Sequence, residues 1–425
     1  MDRVILHCDL NGFYASVELL NRPDLHDQPV AVCGDPEQRH GIILAKNELA
    51  KRAGVKTAET VWQAKKKCPA LVLIPPHHDW YAHFSCEVNL IYRRYTDLVE
   101  PFGIDESWLD VTDSLHLFAG DGRQLADNIR AVIRQELGLT VSVGVSFNKV
   151  FAKLGSDYKK PDATTVIDRA NWREIVHPLP VTSLLFVGKM AAASLARVGV
   201  QTIGQLAALD RTTVRQLLGK TGELVHDYAN GIDLEPVTVV SPDDPGKSIG
   251  SGQTFARNLL GRAEISSAIA CLADRVGTEL RHQGAYCHAV QVIIKRPDLT
   301  SISRQKQLQV STNSTKRITD LAQEIVFSAW DLEQPIRMLT VTALSLTTSV
   351  ASENRQLSFF DSAETAAEDT RTEVLEATVD DLRDRFGRGA ITLGGSLLPD
   401  LGLQEREHNE APPVIRTSKD DNGEY

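Results

Sequence analysis

The sequence contains no apolar run near the roughly 20 residues that a membrane-spanning helix requires, so it predicts no span. Cysteine is sparse. Its six cysteines, Cys8, Cys33, Cys68, Cys86, Cys271 and Cys287, form no C-x-x-C pair, which argues against a zinc cluster or a disulfide framework and predicts buried free thiols. The opening MDRVILHCDLNGFY carries acids and lacks a signal-peptide core, so a cytoplasmic protein is expected. An overall basic excess is also missing, since 46 Lys and Arg stand against 56 Asp and Glu. The deficit is concentrated at one end: residues 351–425 hold 17 acidic and 8 basic residues, whereas residues 247–348 hold 12 basic and 8 acidic. A polyanionic partner is therefore not excluded.

What is present is an ordinary globular composition, 42% hydrophobic and 24% charged. At 425 residues the chain is too long for one core and suits about two to four domains. Residues 4–10, VILHCDL, are β-branched enough for a strand, and GFYASVELL then shows helical spacing at Phe13, Val17 and Leu20. QPVAVCG predicts a second strand, and the polar half of GIILAKNELAKRAGV a helix closed by Gly54. The run Lys65, Lys66 and Lys67 reads as a solvated face. Most of PPHHDWYAHFSCEVNLIYRRYTDLVE reads as one long helix, followed by a strand in FGIDESWLDVT, a helix near LADNIRAVIRQELG and a strand at LTVSVGVS. Strand, helix, strand, strand, helix, strand is the order of a split βαβ unit. Residues 186–233 are short helices punctuated by glycines, SPDDPGKS is a linker, and residues 247–348 alternate helices and strands as a separate α+β domain. The acidic tail holds one helix, TRTEVLEATVDDLRDRFG, before a segment too polar to pack.

The strand in FGIDESWLDVT sets Asp105 beside Glu106, although neighbours on a regular strand face opposite ways. A turn there would let both converge. Asp9 ends the first strand, which neighbours that hairpin in a split βαβ sheet, so three carboxylates could meet. Hard divalent cations favour such oxygen ligands together with substrate phosphates. Taken alone, a pair of solvated turn acids fits as well.

Five stretches, HCDLNGFYASVE, GIILAKNELAKRAGVKTAE, FGIDESWLDVT, SVGVSFNKVFAKLGSDYKKP and KSIGSGQTF, stand in the order and at the spacings of the Y-family translesion DNA polymerases. The chain most resembles their DinB or polymerase IV type, from Met1 to about residue 346. The resemblance implies an α+β multidomain right-hand polymerase. Its parts would be a split βαβ, ferredoxin-like palm (1–20 and 76–165), small fingers (21–75), a helical thumb with helix-hairpin-helix turns (166–235), a linker (236–246), an α+β little finger (247–348) and an acidic tail (349–425). It implies template-directed addition of deoxynucleotides to a primer 3'-hydroxyl, low in fidelity and without proofreading, by a likeness to monomeric enzymes that use two Mg²⁺ ions per site.

By the same resemblance Asp105 and Glu106 would be catalytic and, with Asp9, metal-binding, while Leu10 lends its backbone carbonyl. Tyr14 would be the steric gate against a ribose 2'-hydroxyl; Phe13 would offer a backbone N–H to the triphosphate, and Lys160 its ammonium. In AKNELAKR the chain departs from the family pattern: Glu48 and Lys51 replace a tyrosine and an arginine, so Lys46 or Lys51 would make the remaining phosphate contact. Lysine lacks arginine's bidentate fork. Phe186 replaces the first glycine of a thumb hairpin while Val187 and Gly188 remain, so the hairpin would grip DNA less well, through Gly188, or serve only as a structural helix pair. Lys247, Ser248, Gly250, Lys295 and Arg296 of the little finger would face the template backbone, a salt-sensitive contact without base readout. Gln356, Leu357, Phe359 and Phe360 of RQLSFFDS resemble the peptide that docks on the bacterial sliding β clamp. The alternative reading, a DNA- and clamp-binding accessory factor with a decayed site, draws on Glu48, Lys51 and Phe186.

Overall fold

A computed structural model of the chain describes residues 2–35, 39, 41–118, 121–239, 245–348 and 363–392. The described residues of 1–34 and 42–240 form one compact unit, and those of 35–41 and 241–408 a second.

The strands of the first unit are β1 (Ile5–Leu10), β2 (Val30–Cys33), β3 (Ile43–Lys46), β4 (Val72–Ile74), β5 (Val99–Pro101), β6 (Glu106–Asp110), β7 (Val141–Ser146) and β8 (Thr164–Ile167). All six residues of β1 are buried, as expected of a central strand covered on both faces. The large sheet runs β5-β6-β1-β7-β8, with β1 antiparallel to β6 and β7. Strands β1, β5, β6 and β7, with their intervening helices, give the anticipated split βαβ order. Strand β8 was not anticipated; it joins parallel to β7 after the helix Lys149–Tyr158. The long helix is shorter than its sequence suggests: it spans His78–Tyr92, and Val99 pairs with Leu109 of β6 instead of extending it. A second sheet, β3-β2-β4, packs the Ala31, Ile43, Ala50 and Val61 core.

The helix Lys149–Tyr158 lies directly on β7. A Cβ at Gly144 would fall 1.9 Å from the Ala152 carbonyl oxygen, so only glycine permits this approach. Its N-terminus is capped twice: Asn148 accepts from the Phe151 N–H at 2.8 Å, and Asp233 accepts from the Lys149 and Val150 N–H groups at 3.0 and 3.3 Å. Asp233 follows the short helices Lys189–Ala196, Ile203–Ala207, Arg211–Leu218 and Lys220–Ala229, whose core is continuous with Phe147 and Phe151. The end of the helical segment therefore pins the helix on the sheet.

In the second unit β9 (Ser248–Leu259), β10 (Tyr286–Lys295), β11 (Ser301–Thr312) and β12 (Ile336–Thr347) form an antiparallel sheet of order β11-β10-β12-β9. The helices Gly261–His282 and Thr315–Ala329 pack against it around Phe255, Leu272, Val290 and Val341. The tail helix spans Ala363–Phe386, beginning before the segment that suggested it. It is docked by charge: Arg281 pairs with Asp380 at 2.5 Å and Glu376 at 3.1 Å, and Arg383 with Asp274 at 2.9 Å. Glu376 also accepts from the Thr315 and Lys316 N–H groups at 3.1 Å, satisfying the N-terminus of the helix Thr315–Ala329.

Gly144→Ala forces that backbone contact apart. Urea unfolding should show a loss of roughly 3 kcal/mol or more, at the upper end for overpacking; a loss below 1 kcal/mol would mean the helix tolerates displacement from β7.

Candidate active site

Strand pairing brings the three acids together. Asp9 lies opposite Glu106 in the β1–β6 register, and the Leu10 N–H donates to the Asp105 carbonyl oxygen at 3.0 Å. Asp105 sits in the bend before β6 and Glu106 is the first residue of the strand, so the turn inferred from sequence does adjoin the pair. Asp9 is only 5% exposed. Burial pushes its carboxyl up to about 7, an effect that Lys160 only partly offsets and the Glu106 charge reinforces. Burial and then the charge of Glu106 likewise raise Asp105. Glu106 behaves oppositely: burial pushes it up, but hydrogen bonding to His7 and Lys153 outweighs that and holds it at about 2.

The compensating cations come from one element. Lys153 on the helix Lys149–Tyr158 contacts Glu106, and Lys160 just beyond that helix reaches Asp9 at 2.5 Å and Asp157 at 2.8 Å. Buried His7, whose Nδ1 shares a hydrogen bond with Ser156 at 2.8 Å, brings its Nε2 within 3.3 Å of Glu106. Sequence reasoning missed His7 and Lys153. The signal was present: positions 153, 157 and 160 repeat at i, i+4, i+7, one helix face prolonged past its end.

Among the described residues no three His, Cys, Asp or Glu side chains are gathered closely enough to hold a metal ion as they stand. The donor chemistry nevertheless fits a hard divalent cation. It comprises three carboxylates and a strand-end carbonyl, all oxygen, where burial and mutual repulsion leave two carboxyls unusually ready to take positive charge.

Tyr14 and Phe13 begin the helix Phe13–Leu19, immediately after β1. Phe13 is buried in the core, whereas Tyr14 is half-exposed and stacks on Tyr81 with ring centroids 3.9 Å apart and planes at 12°. Tyr81 is itself immobilised: its hydroxyl donates to buried Glu18, which also binds the His77 ring at 3.0 Å. This support for Tyr14 was not read from the sequence. Lys51 is paired with Glu48 at 2.9 Å on the helix Glu48–Arg52.

The remaining named residues lie elsewhere. Gly188 N-caps the helix Lys189–Ala196, and preceding Phe186 is 54% exposed with a left-handed φ of 67°. In the second unit Lys247 and Ser248 are exposed where β9 begins, and Gly250 lies on β9 opposite Thr342. Lys295 ends β10, and the Arg296 guanidinium rests 5.1 Å over the Trp330 ring. Gln356, Leu357, Phe359 and Phe360 lie outside the described residues. Among the described residues no helix is long and apolar enough to cross a membrane.

A sheet of this order bearing paired acids at one strand end, beside a helical segment and followed by a second α+β unit, is the architecture of a right-hand nucleotidyltransferase. Residues 8–157 match the impB/mucB/samB family and residues 246–359 its C-terminal domain. The chain belongs to that family and is a Y-family DNA polymerase of the polymerase IV type. It is 46% identical to DNA polymerase IV of Acetivibrio thermocellus over 95% of this chain and 99% of that one. It is 34% identical to DNA polymerase IV 1 of Bacillus subtilis over 93% of each chain. Its fold matches that of a chimeric Y-family DNA polymerase with a TM-score of 0.72, at 23% identity, covering 81% of this chain and all of the other. Membership in this family implies dependence on divalent metal and binding of DNA and nucleotides.

Folded Asp9 takes up its proton below about 7, against an ordinary value of 3.8, so rising pH removes stability between these limits. Asp9→Asn avoids that loss. In metal-free urea titrations the variant should gain on the wild type by roughly 1–3 kcal/mol more at pH 8 than at pH 4; an equal difference at both pH values would mean that Asp9 titrates normally.

Proposed function

We propose that Asp9, Asp105 and Glu106, with the Leu10 carbonyl, bind two Mg²⁺ ions and form the catalytic centre of a template-directed, translesion-type DNA polymerase. The cross-strand pairing of Asp9 with Glu106, beside Asp105, carries this reading. When bound, the ions would lower the pKa of the primer 3'-hydroxyl and offset charge on the transferring phosphoryl group. In that state Lys160 exchanges Asp9 for the triphosphate, to which a lone ammonium is well suited. Lys153 and His7 keep Glu106 ionised and fixed. Phe13 offers its backbone N–H, and Tyr14, backed by Tyr81, presses on the sugar and excludes a 2'-hydroxyl.

The DNA partner is a primer-template duplex. The uncapped N–H groups after Gly188 suit phosphate contact independent of sequence. Lys247, Ser248, Gly250, Lys295 and Arg296 would track the template backbone, and Gln356, Leu357, Phe359 and Phe360 a sliding β clamp. The domain limits would be those expected from sequence, and the enzyme would act as a cytoplasmic monomer without proofreading.

Primer extension with Mg²⁺ and four deoxynucleotides tests the centre. Asp105→Ala with Glu106→Ala should reduce insertion by at least about 1,000-fold, the scale for losing metal and electrostatic stabilisation, while primer-template affinity persists. Extension by the double variant at the wild-type rate would remove these acids from the chemistry. Tyr14→Ala should admit ribonucleotides that the wild type rejects; unchanged sugar discrimination would reassign the gate.

A further inference from the structure

Four lysines of the first unit, Lys46, Lys149, Lys153 and Lys160, are withdrawn from solvent. Three are neutralised: Lys149 by Glu100 at 2.7 Å, Lys153 by Glu106, and Lys160 by Asp9 and Asp157. Lys46 differs. Its ammonium donates to the Thr57 hydroxyl at 3.0 Å, and among the described residues it has no ion-pair partner. A half-buried cation that no carboxylate touches is costly unless an anion completes its surroundings. Burial and the neighbouring Lys51 charge depress its pKa, and the attraction of Glu48 and Glu59 offsets them only in part.

The location of Lys46 identifies the anion. It ends β3, and its carbonyl oxygen is 2.9 Å from where a Cβ at Gly12 would lie. Gly12, at φ 54°, is the turn between the Asp9 strand and the helix that carries Tyr14. Lys46 thus borders the segment assigned above to the sugar and triphosphate. Lys51, which stands where the family has its arginine, is instead occupied by Glu48 on the same helix.

We infer that Lys46 is the fingers residue that receives the triphosphate of the incoming nucleotide, and that Glu48 withholds Lys51 from that role. The inference rests on the polymerase reading above. It relocates the phosphate contact by five positions, from a helix residue to the end of a strand whose backbone is fixed against the Gly12 turn.

Single-nucleotide insertion on a primer-template tests it, with wild type, Lys46→Met, Lys46→Arg, Lys51→Met and Glu48→Gln compared alongside their melting temperatures and DNA affinities. Lys46→Met should raise KM for the nucleotide about 10- to 100-fold, the loss of one charged hydrogen bond, with a smaller effect on kcat and none on melting or DNA affinity. Lys46→Arg should recover most of it. Lys51→Met should shift KM by less than about threefold, as an exposed pair is worth little, and Glu48→Gln should lower KM by freeing Lys51. A larger KM effect from Lys51→Met than from Lys46→Met would overturn the assignment while leaving the polymerase reading intact. Titration of a deoxynucleotide into wild type and Lys46→Met bound to dideoxy-terminated primer-template gives the same answer without turnover: equal affinities would also overturn it. Failure of the wild type to extend any primer would instead reject the polymerase reading itself.

Discussion

Buried Asp9 faces half-buried Glu106 across two paired strands, where like charges repel more strongly than in solvent. Much of the first unit answers that repulsion. Lys153 and Lys160 must reach the strand end from one side, which requires the helix Lys149–Tyr158 to lie against β7 at a distance only Gly144 allows. The N–H groups starting that helix must be satisfied, and Asp233 does so from the end of the helical segment. A single charge problem thereby fixes a packing contact, a cap and the attachment of a neighbouring substructure. The lysines offset part of the cost of burying these acids until stronger positive charge arrives.

The surroundings of Tyr14 are built differently. Tyr14 is held by a stacked ring, and that ring by a buried hydrogen bond to Glu18, so its position rests on a rigid apolar and polar base rather than on charge. In the second unit the tail helix is the counterpart of these devices. Its acids neutralise Arg281 and cap the helix Thr315–Ala329, so part of the chain's large negative balance is structural.

Patterns that act over a short span were legible in the sequence. Buried β1, the helix after Phe13, the α+β second unit and the three acids followed from periodicity and from five linked motifs. What was not legible depends on distant partners. Strand β8 is four residues behind a lysine-rich turn and exists because β7 has a free edge. His7 reads as an ordinary strand residue until Glu106 arrives from about one hundred positions away. The tail helix was legible but its docking was not, because Glu376 and Asp380 find Arg281, and Arg383 finds Asp274, about one hundred positions away. Lys51 matched a family position, yet a carboxylate three residues earlier occupies it.

Proton release on binding of Mg²⁺ tests the central arrangement most directly, because a carboxyl raised by burial must lose its proton before it can ligate. Calorimetric titration of the metal-free chain in buffers of different ionisation enthalpy measures that release. Asp9, with its carboxyl pushed up to about 7, should give up about one proton per chain near pH 6 and progressively less by pH 8.5, and Asp9→Asn should abolish the effect. Binding with no proton release at either pH would contradict the placement of Asp9 as a buried acid awaiting a cation.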